Sequence, residues 1–175
     1  MDHSPQTVLL VRPDDTPVGT YPKLQAHQES RLHRAFSIFL LDEEDNLLLQ
    51  RRAVTKYHSG GLWTNACCSH PMEDVLADAK LRLKEELGVE ADIAEIGHFV
   101  YRHTFENGLT EYEYDHVLLG RIPHSTPIVP DPSEADAVQW MSPEELTRQL
   151  TELPQIFTPW FLTAAPIVLD HLNQK

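Results

Sequence analysis

The sequence has little from which to build a disulfide framework, a membrane span or a nucleic-acid surface. Its only cysteines, Cys67 and Cys68, are neighbours, and a bridge between neighbours is strained and closes almost no loop. No apolar run approaches the roughly 20 residues of a membrane helix. Lys and Arg number 14 against 27 Asp and Glu, and the formal net charge is -13. Such a charge disfavours nucleic acid and anionic lipid. We therefore expect reduced thiols, no nucleic-acid partner and no membrane.

The remaining composition is typical of a globular domain. A length of 175 residues fits one compact domain, 1–175, with residues 1–6 as a flexible tail. The polar first residues lack the basic and then apolar pattern of a secretion signal, so we expect a cytoplasmic protein. The oligomeric state is open, and a monomer is plausible.

Apolar, β-branched and aromatic runs between polar turns predict strands over residues 8–11, 35–41, 47–50, 96–101, 110–119 and 137–141. The polar turn at 42–46 predicts a hairpin between the second and third of these strands. The turn at 106–108 predicts another between the fourth and fifth. Four prolines in segment 122–133 predict a loop.

Three helices are predicted between and after these strands. The first has Pro71 in its first turn, an apolar residue at every fourth position from Val75, and an end at Gly88. Ser142 is a predicted N-cap for the second helix. The third covers residues 159–172 and is kinked at Pro166. The expected fold class is α/β (α+β), with a mixed sheet of antiparallel hairpins flanked by helices.

Residues 63–71 place a thiol and an imidazole two positions apart. On an extended segment side chains alternate, so Cys68 and His70 would face one space while Cys67 faces away. Taken alone, Cys68 is better interpreted as a small buried hydrophobe. Its position beside a histidine makes it a candidate for acid–base chemistry.

Three histidines and two glutamates could together hold one divalent cation: His27, His33, His70, Glu111 and Glu113. Three nitrogens with two or more oxygens suit a five- or six-coordinate Mn²⁺, Mg²⁺ or Zn²⁺. The alternative for each residue is unremarkable: His27 would be exposed in a loop, His33 would pair with Glu29 at a strand edge, and the two glutamates would line the wet face of an edge strand.

Cations near this set could hold a phosphate or diphosphate against the acidic average: Lys23, Arg52, Lys56 and Arg82. For Arg51 we prefer a solvated strand end. Glu86 could carry a Mg²⁺ that bridges a diphosphate, although paired glutamates on a helix usually face solvent. Tyr101 and Trp160 would be packing residues on composition alone, but an aromatic face beside a cationic intermediate would stabilise it.

Several motifs then occur in the order of a known family: residues 31–37, residues 64–71, the pair Glu111 and Glu113, and residues 158–160. The chain resembles the type I isopentenyl diphosphate isomerases of the Nudix fold superfamily, from about residue 8 to residue 160. The resemblance implies a Nudix-like fold and interconversion of isopentenyl and dimethylallyl diphosphate by a 1,3-allylic proton shift through a carbocation. It implies a small prenyl diphosphate as the partner.

The resemblance also implies a role for each candidate residue. Cys68 and Glu113 would be catalytic on opposite faces of the substrate, and which of them is the acid is open. Tyr101 would deliver a proton and Trp160 would face the cation. Glu86 would bind the Mg²⁺ that accompanies the diphosphate. The family's metal ligands match His27, His33, His70, Glu111 and Glu113, its diphosphate contacts match Lys23, Arg52, Lys56 and Arg82, and no flavin is needed.

The chain departs from the Nudix hydrolase box at three positions. Cys67, Leu81 and Arg82 stand where that box has a glycine, an arginine and a glutamate. We therefore expect a diphosphate to be bound and left intact. The alternatives are a Nudix-type diphosphate hydrolase and a non-catalytic metal or thiol sensor. A zinc deaminase is weaker, because its His-x-Glu and Pro-Cys-x-x-Cys motifs are missing.

Overall fold

The computed structural model describes residues 6–174, so the predicted tail, apart from Gln6, lies outside the described residues. Nine strands in this part of the chain form one mixed sheet. The strands are β1 (Thr7–Val11), β2 (Pro17–Pro22), β3 (His33–Leu41), β4 (Leu47–Arg52), β5 (Trp63–Thr64), β6 (Cys67–Ser69), β7 (Ile93–Thr104), β8 (Thr110–Arg121) and β9 (Ala135–Met141).

Helices pack beside the sheet, and the α/β class is confirmed. They are α1 (Lys23–Gln28), α2 (Val75–Leu87), α3 (Pro143–Glu152) and α4 (Phe161–Asn173), with a 3-10 turn at Pro154–Ile156. The sequence analysis did not predict α1. Among the described residues, no helix has both the length and the apolar character needed to cross a membrane.

The central pairing of the sheet is parallel, between β3 and β8, and runs from His33 opposite Glu113 to Leu41 opposite Arg121. The hairpin predicted between β3 and β4 forms, but its pairing is limited to Leu41 with Leu47, beside the turn. The two strands diverge because β6 pairs with β3 at Phe36–Ile38, while β4 pairs with β9. The second predicted hairpin, β7 with β8, is confirmed.

Strand β3 is buried along its whole length and contributes side chains to the cores on both faces of the sheet. Phe36 and Ile38 pack in the core on one face with Leu83 and Leu87 of α2. Phe39 packs in the core on the other face, with residues of α4. Burial on both faces matches the near-continuous apolar sequence of this strand.

Helix α2 begins later than predicted. Asp74 is its N-cap and accepts a hydrogen bond from the Ala77 N–H, so Pro71 lies outside the first turn. The predicted end is confirmed, because Gly88 has the left-handed backbone angle φ of 67° that glycine adopts without strain. The predicted Ser142 cap is also confirmed, since its hydroxyl accepts from the Glu145 N–H.

Candidate active site

The five predicted metal-binding side chains come together at one end of the central strands. Helix α1 contributes His27, β3 begins at His33, His70 follows β6, and β8 carries Glu111 and Glu113. The ring centroid of His33 lies 5.1 Å from that of His27 and 5.0 Å from that of His70. Donor atoms of the three histidines and Glu111 all lie within 4.8 Å of one another. His70 Nε2 is 3.0 Å from Glu113 Oε2.

The backbone contacts of His27 and His33 fix where their ring protons lie in this cluster. His27 Nδ1 donates to the Lys23 carbonyl at 2.6 Å, and His33 Nδ1 donates to the Arg31 carbonyl at 2.8 Å. A carbonyl can only accept, so neutral His33 presents Nε2 as a free acceptor, whereas protonated His27 also donates from Nε2 to Glu111 Oε1 at 2.8 Å. His33 Nε2 and Glu111 Oε2 are buried with no hydrogen-bond partner among the described residues. Acceptors facing acceptors in a buried space fit a divalent cation.

The unremarkable alternatives for these residues are wrong. His27 is 1% exposed and lies in a helix, and His33 is fully buried. Glu111 and Glu113 are buried on β8, which is an interior strand between β3 and β7. As an i, i+2 pair they face one way, as the period of a strand predicts.

The two carboxylates are electrostatically distinct. Burial would raise the pKa of Glu111, but its hydrogen bonds to His27 and His58 hold that pKa well below the ordinary value. Burial and the charges of Glu111 and Asp115 raise the pKa of Glu113 well above it. Glu113 therefore binds a proton more readily than Glu111 does. Nearby carboxylates separate in this way because like charges resist joint ionisation.

The Cys68 thiol is held by polar groups on several sides. Its Sγ donates to Asn65 Oδ1 and accepts from Trp160 Nε1, each at 3.2 Å. Ser37 Oγ lies 3.8 Å away and also donates to Asp115. Burial, followed by the charge of Asp115, raises the Cys68 pKa to about 12.

Cys67 points the opposite way, as the strand alternation predicts. It is fully buried, and its thiol donates to Glu86 Oε2 at 2.8 Å. Only Cys68 lines the cavity that the histidine and glutamate cluster borders. The neighbouring thiols therefore belong to two different environments.

The predicted cations divide into two groups. Lys23, Arg52 and Lys56 line the cavity. Arg82 does not; it lies behind the cavity in a network of ion pairs, 3.4 Å from Glu86 and 3.6 Å from Glu134. Lys56 Nζ contacts the same Glu134 at 2.9 Å, which links the network to the cavity wall.

Glu86 is buried, although adjacent glutamates on a helix usually face solvent. Burial raises its pKa to about 7, although the Arg82 charge opposes this shift. Arg51, for which a solvated strand end was preferred, is half-exposed and pairs with Asp136 at 2.6 Å.

Of the two predicted aromatic residues, Trp160 lines the cavity, with the Arg52 guanidinium 5.1 Å from its ring centre. Tyr101 instead lines an adjacent apolar groove. It is paired with Glu113 in the β7–β8 register, and its hydroxyl has no hydrogen-bond partner among the described residues.

Four further residues on the cavity wall were missed: Tyr57, His58, Asp115 and Glu134. Asp115 continues the i, i+2 series of Glu111 and Glu113, so strand alternation could have found it. Tyr57 and His58 lie on the loop after β4 and contact Glu111 Oε1. No local pattern marks them, because their partner is far away in sequence.

Comparison with known proteins places the chain among two sets of relatives. The NUDIX domain family matches residues 31–161. An "Isopentenyl-diphosphate Delta-isomerase 2" of Aromatoleum aromaticum is 46% identical over 165 residues, which cover 93% of this chain and 86% of that protein. The "Isopentenyl-diphosphate Delta-isomerase" of Serratia proteamaculans is 42% identical over 160 residues, with 90% and 88% covered.

The solved structures that resemble this one share its fold at low sequence identity. A protein of Deinococcus radiodurans has a TM-score of 0.68 and 19% identity, with 84% of this chain and 90% of that chain covered. The MutT protein of Methanosarcina mazei has a TM-score of 0.65 and 17% identity, with 82% and 96% covered.

Proposed function

The chain belongs to the isopentenyl-diphosphate Delta-isomerase family and contains a NUDIX domain over residues 31–161, and we propose that it interconverts isopentenyl diphosphate and dimethylallyl diphosphate by a 1,3-allylic proton shift. The observation that carries this proposal is one cavity that joins the half-buried Cys68 thiol, a cluster of imidazoles and carboxylates, and three cations. We also propose that residues 1–175 act as a single domain in the cytoplasm.

The substrate diphosphate would bind at the cationic wall. Lys23, Arg52 and Lys56 line the cavity, and charge-assisted hydrogen bonds to phosphate oxygens are stronger than neutral ones. Arg82, behind the wall, would act through Glu86 and Glu134 unless the network opens when substrate binds. Glu86 would hold a Mg²⁺ together with the diphosphate, because magnesium prefers carboxylate and phosphate oxygens.

The histidine and glutamate cluster would hold a second divalent cation, Mn²⁺, Zn²⁺ or Mg²⁺. Its ligands would be His27, His33, His70, Glu111 and Glu113, and the unpaired His33 Nε2 and Glu111 Oε2 support this assignment. When bound, the cation would lower the proton affinity of Glu113 and fix its orientation. No flavin is required, because the shift moves a proton and no net electrons.

Cys68 and Glu113 would act as the acid–base pair on opposite faces of the substrate. One would add a proton to the terminal alkene carbon, leaving a tertiary cation, and the other would remove a proton from the carbon on the far side of that cation. The count balances, because one proton is gained and one is lost. Both side chains line the cavity, which supports the proposal.

The cation formed between these steps needs a dry and electron-rich environment. Trp160 is 4% exposed, and its indole N–H donates to Cys68 Sγ, which places the ring beside the reacting thiol. An aromatic face can stabilise a desolvated cation by about 2 kcal/mol. Tyr101, next to Glu113 across the β7–β8 pair, would supply or return a proton from its buried hydroxyl.

The test is incubation of the pure protein with Mg²⁺ and isopentenyl diphosphate in heavy water, followed by NMR. We expect an allylic diphosphate that has acquired deuterium from solvent, with no inorganic phosphate released. Release of phosphate would instead support a Nudix-type hydrolase. No turnover of either kind would support a metal or thiol sensor, and would contradict the proposed isomerase.

A further inference from the structure

The loop between β4 and β5 places a fourth imidazole against the metal-binding cluster. His58 is 7% exposed, and its Nε2 lies 2.5 Å from Glu111 Oε1. Like Glu113, it is not among the residues whose donor atoms all lie within 4.8 Å of one another; Glu113 contacts the cluster through His70, whereas His58 does so through Glu111. His58 thus contacts a predicted metal ligand without joining the donor set.

The proton on His58 is placed in the opposite way to the proton on His33. A carboxylate oxygen only accepts, so the short contact to Glu111 requires the hydrogen on His58 Nε2. His58 Nδ1 is then free to accept from the Ser59 hydroxyl at 3.1 Å. His58 is therefore set as a hydrogen-bond donor to a ligand, whereas His33 presents a lone pair to the cluster.

The two carboxylate oxygens of Glu111 have different surroundings. Oε1 is contacted by His58, by His27 at 2.8 Å and by the Tyr57 hydroxyl at 3.4 Å. Oε2 has no partner among the described residues and lies 3.8 Å from His33 Nε2. Engaging Oε1 leaves Oε2 directed toward the bare nitrogen of His33.

The position of the His58 ring is itself fixed by packing. It stacks on Phe105 with 4.1 Å between ring centroids and 11° between planes, and its edge faces Trp160 at 5.7 Å. The loop beyond it is tight, because a Cβ on Gly60 would lie 2.8 Å from the Val54 carbonyl oxygen. Such support is needed for a group that must hold another within a fraction of an ångström.

We infer that His58 is a positioning residue of the isomerase site, where it holds Glu111 by Nε2–H so that the other carboxylate oxygen faces the divalent cation. The inference rests on the metal site proposed above. It assigns His58 no direct contact with the metal or with the substrate.

The test uses the full chain with Mn²⁺ as the probe and calorimetric titration as the readout. His58→Phe keeps an aromatic ring against Phe105 and removes the donor, and we expect Mn²⁺ affinity to fall roughly 10- to 100-fold, the usual effect of losing an outer-sphere partner. His58→Gln offers an amide N–H and should recover most of that affinity. His98→Phe removes an exposed histidine that stacks on Tyr114, and serves as the matched control with unchanged affinity.

A second measurement separates positioning from ligation. Pulsed electron paramagnetic resonance on the Mn²⁺-loaded protein counts coupled imidazole nitrogens, and we expect the same count in the parent and in His58→Gln. A lost nitrogen would make His58 a ligand and overturn the inference. So would parental affinity in His58→Phe, or a His58→Gln variant as weak as His58→Phe.

Failure of the proposed function would be recognised separately. A parent protein that binds Mn²⁺ but forms no deuterated allylic product would contradict the isomerase and leave the His58 measurements valid. A folded His58→Phe, verified by circular dichroism, that binds Mn²⁺ normally would contradict only the role of His58. A parent that binds no Mn²⁺ would overturn both the metal site and this inference.

Discussion

Two groups of buried charge lie in or behind the wall of the same cavity and differ in how their charges are compensated. The imidazole–carboxylate cluster consists of His27, His33, His70, Glu111 and Glu113. The cation–carboxylate network consists of Lys56, Arg82, Glu86 and Glu134. In the network each carboxylate lies near an arginine or a lysine. In the cluster, His33 Nε2 and Glu111 Oε2 face each other at 3.8 Å, and neither has a hydrogen-bond partner among the described residues.

The difference shows what each group needs. Buried charges are tolerated only when paired, and a buried acceptor without a partner costs about 1–3 kcal/mol. The cluster can therefore gain by binding a cation before any substrate arrives. The network is already compensated within the protein, so a bound diphosphate and its Mg²⁺ must exchange with existing ion pairs. We expect the two groups to respond differently to the same kinds of substitution.

The adjacent cysteines give the sharpest test, because one faces each environment. Cys68→Ala should lower kcat roughly 10²- to 10⁴-fold, the usual contribution of a general acid or base, and Glu113→Gln should do the same. Cys67→Ala should stay active, since that thiol contacts Glu86 rather than the cavity. Steady-state kinetics with thermal melts would measure this. Equal losses at the two cysteines would remove the distinction.

Substitutions in the cluster and in the network should differ in their effect on Mn²⁺ affinity. His33→Gln removes a bare nitrogen from the cluster, and we expect Mn²⁺ affinity to fall by more than the roughly 100-fold upper range for an outer partner. Glu86→Gln should leave that Mn²⁺ affinity near the parental value while raising the Mg²⁺ concentration needed for substrate binding. Titration of both variants with each metal tests the pair. A large loss of Mn²⁺ affinity in Glu86→Gln would show that the two groups act as one.

Substrate affinity should depend on the cationic wall. Lys56→Met removes a charge that lines the cavity, and a hydrogen bond to a charged group contributes about 1.5–3 kcal/mol. KM should therefore rise roughly 10- to 100-fold at little cost in Mn²⁺ affinity. Arg51→Gln is the matched control, because Arg51 pairs with Asp136 and is absent from the cavity wall. A comparable KM increase in Arg51→Gln would mean that general charge, rather than position, holds the diphosphate.

The smallest expected effect concerns the aromatic wall between the two groups. Trp160→Leu should lower kcat roughly 30-fold, the equivalent of about 2 kcal/mol of cation–aromatic stabilisation, and change KM little. The reason is that a ring facing a transient cation acts mainly in the transition state. Trp160 also donates to Cys68 Sγ, so Trp160→Phe, which keeps a ring but not the N–H, separates the two roles. A change confined to KM would contradict the assignment.

Much of this arrangement follows from local sequence patterns. The opposite directions of Cys67 and Cys68 follow from alternation along a strand, as does the shared direction of Glu111 and Glu113. The Gly88 and Ser142 helix boundaries follow from backbone and capping chemistry. These features depend on residues that are close in the chain, so the sequence alone determined them.

Other features depended on pairing between distant segments. The parallel pairing of β3 with β8, which no local pattern predicted, brought His33 beside Glu113. The short helix α1 buried His27, and the loop after β4 delivered His58 to Glu111. Local periodicity tells which face a side chain takes, but register and burial are set by the strand or loop that packs against it. Only the tertiary structure therefore decided which acceptors lack partners, and with them the site that a cation fits.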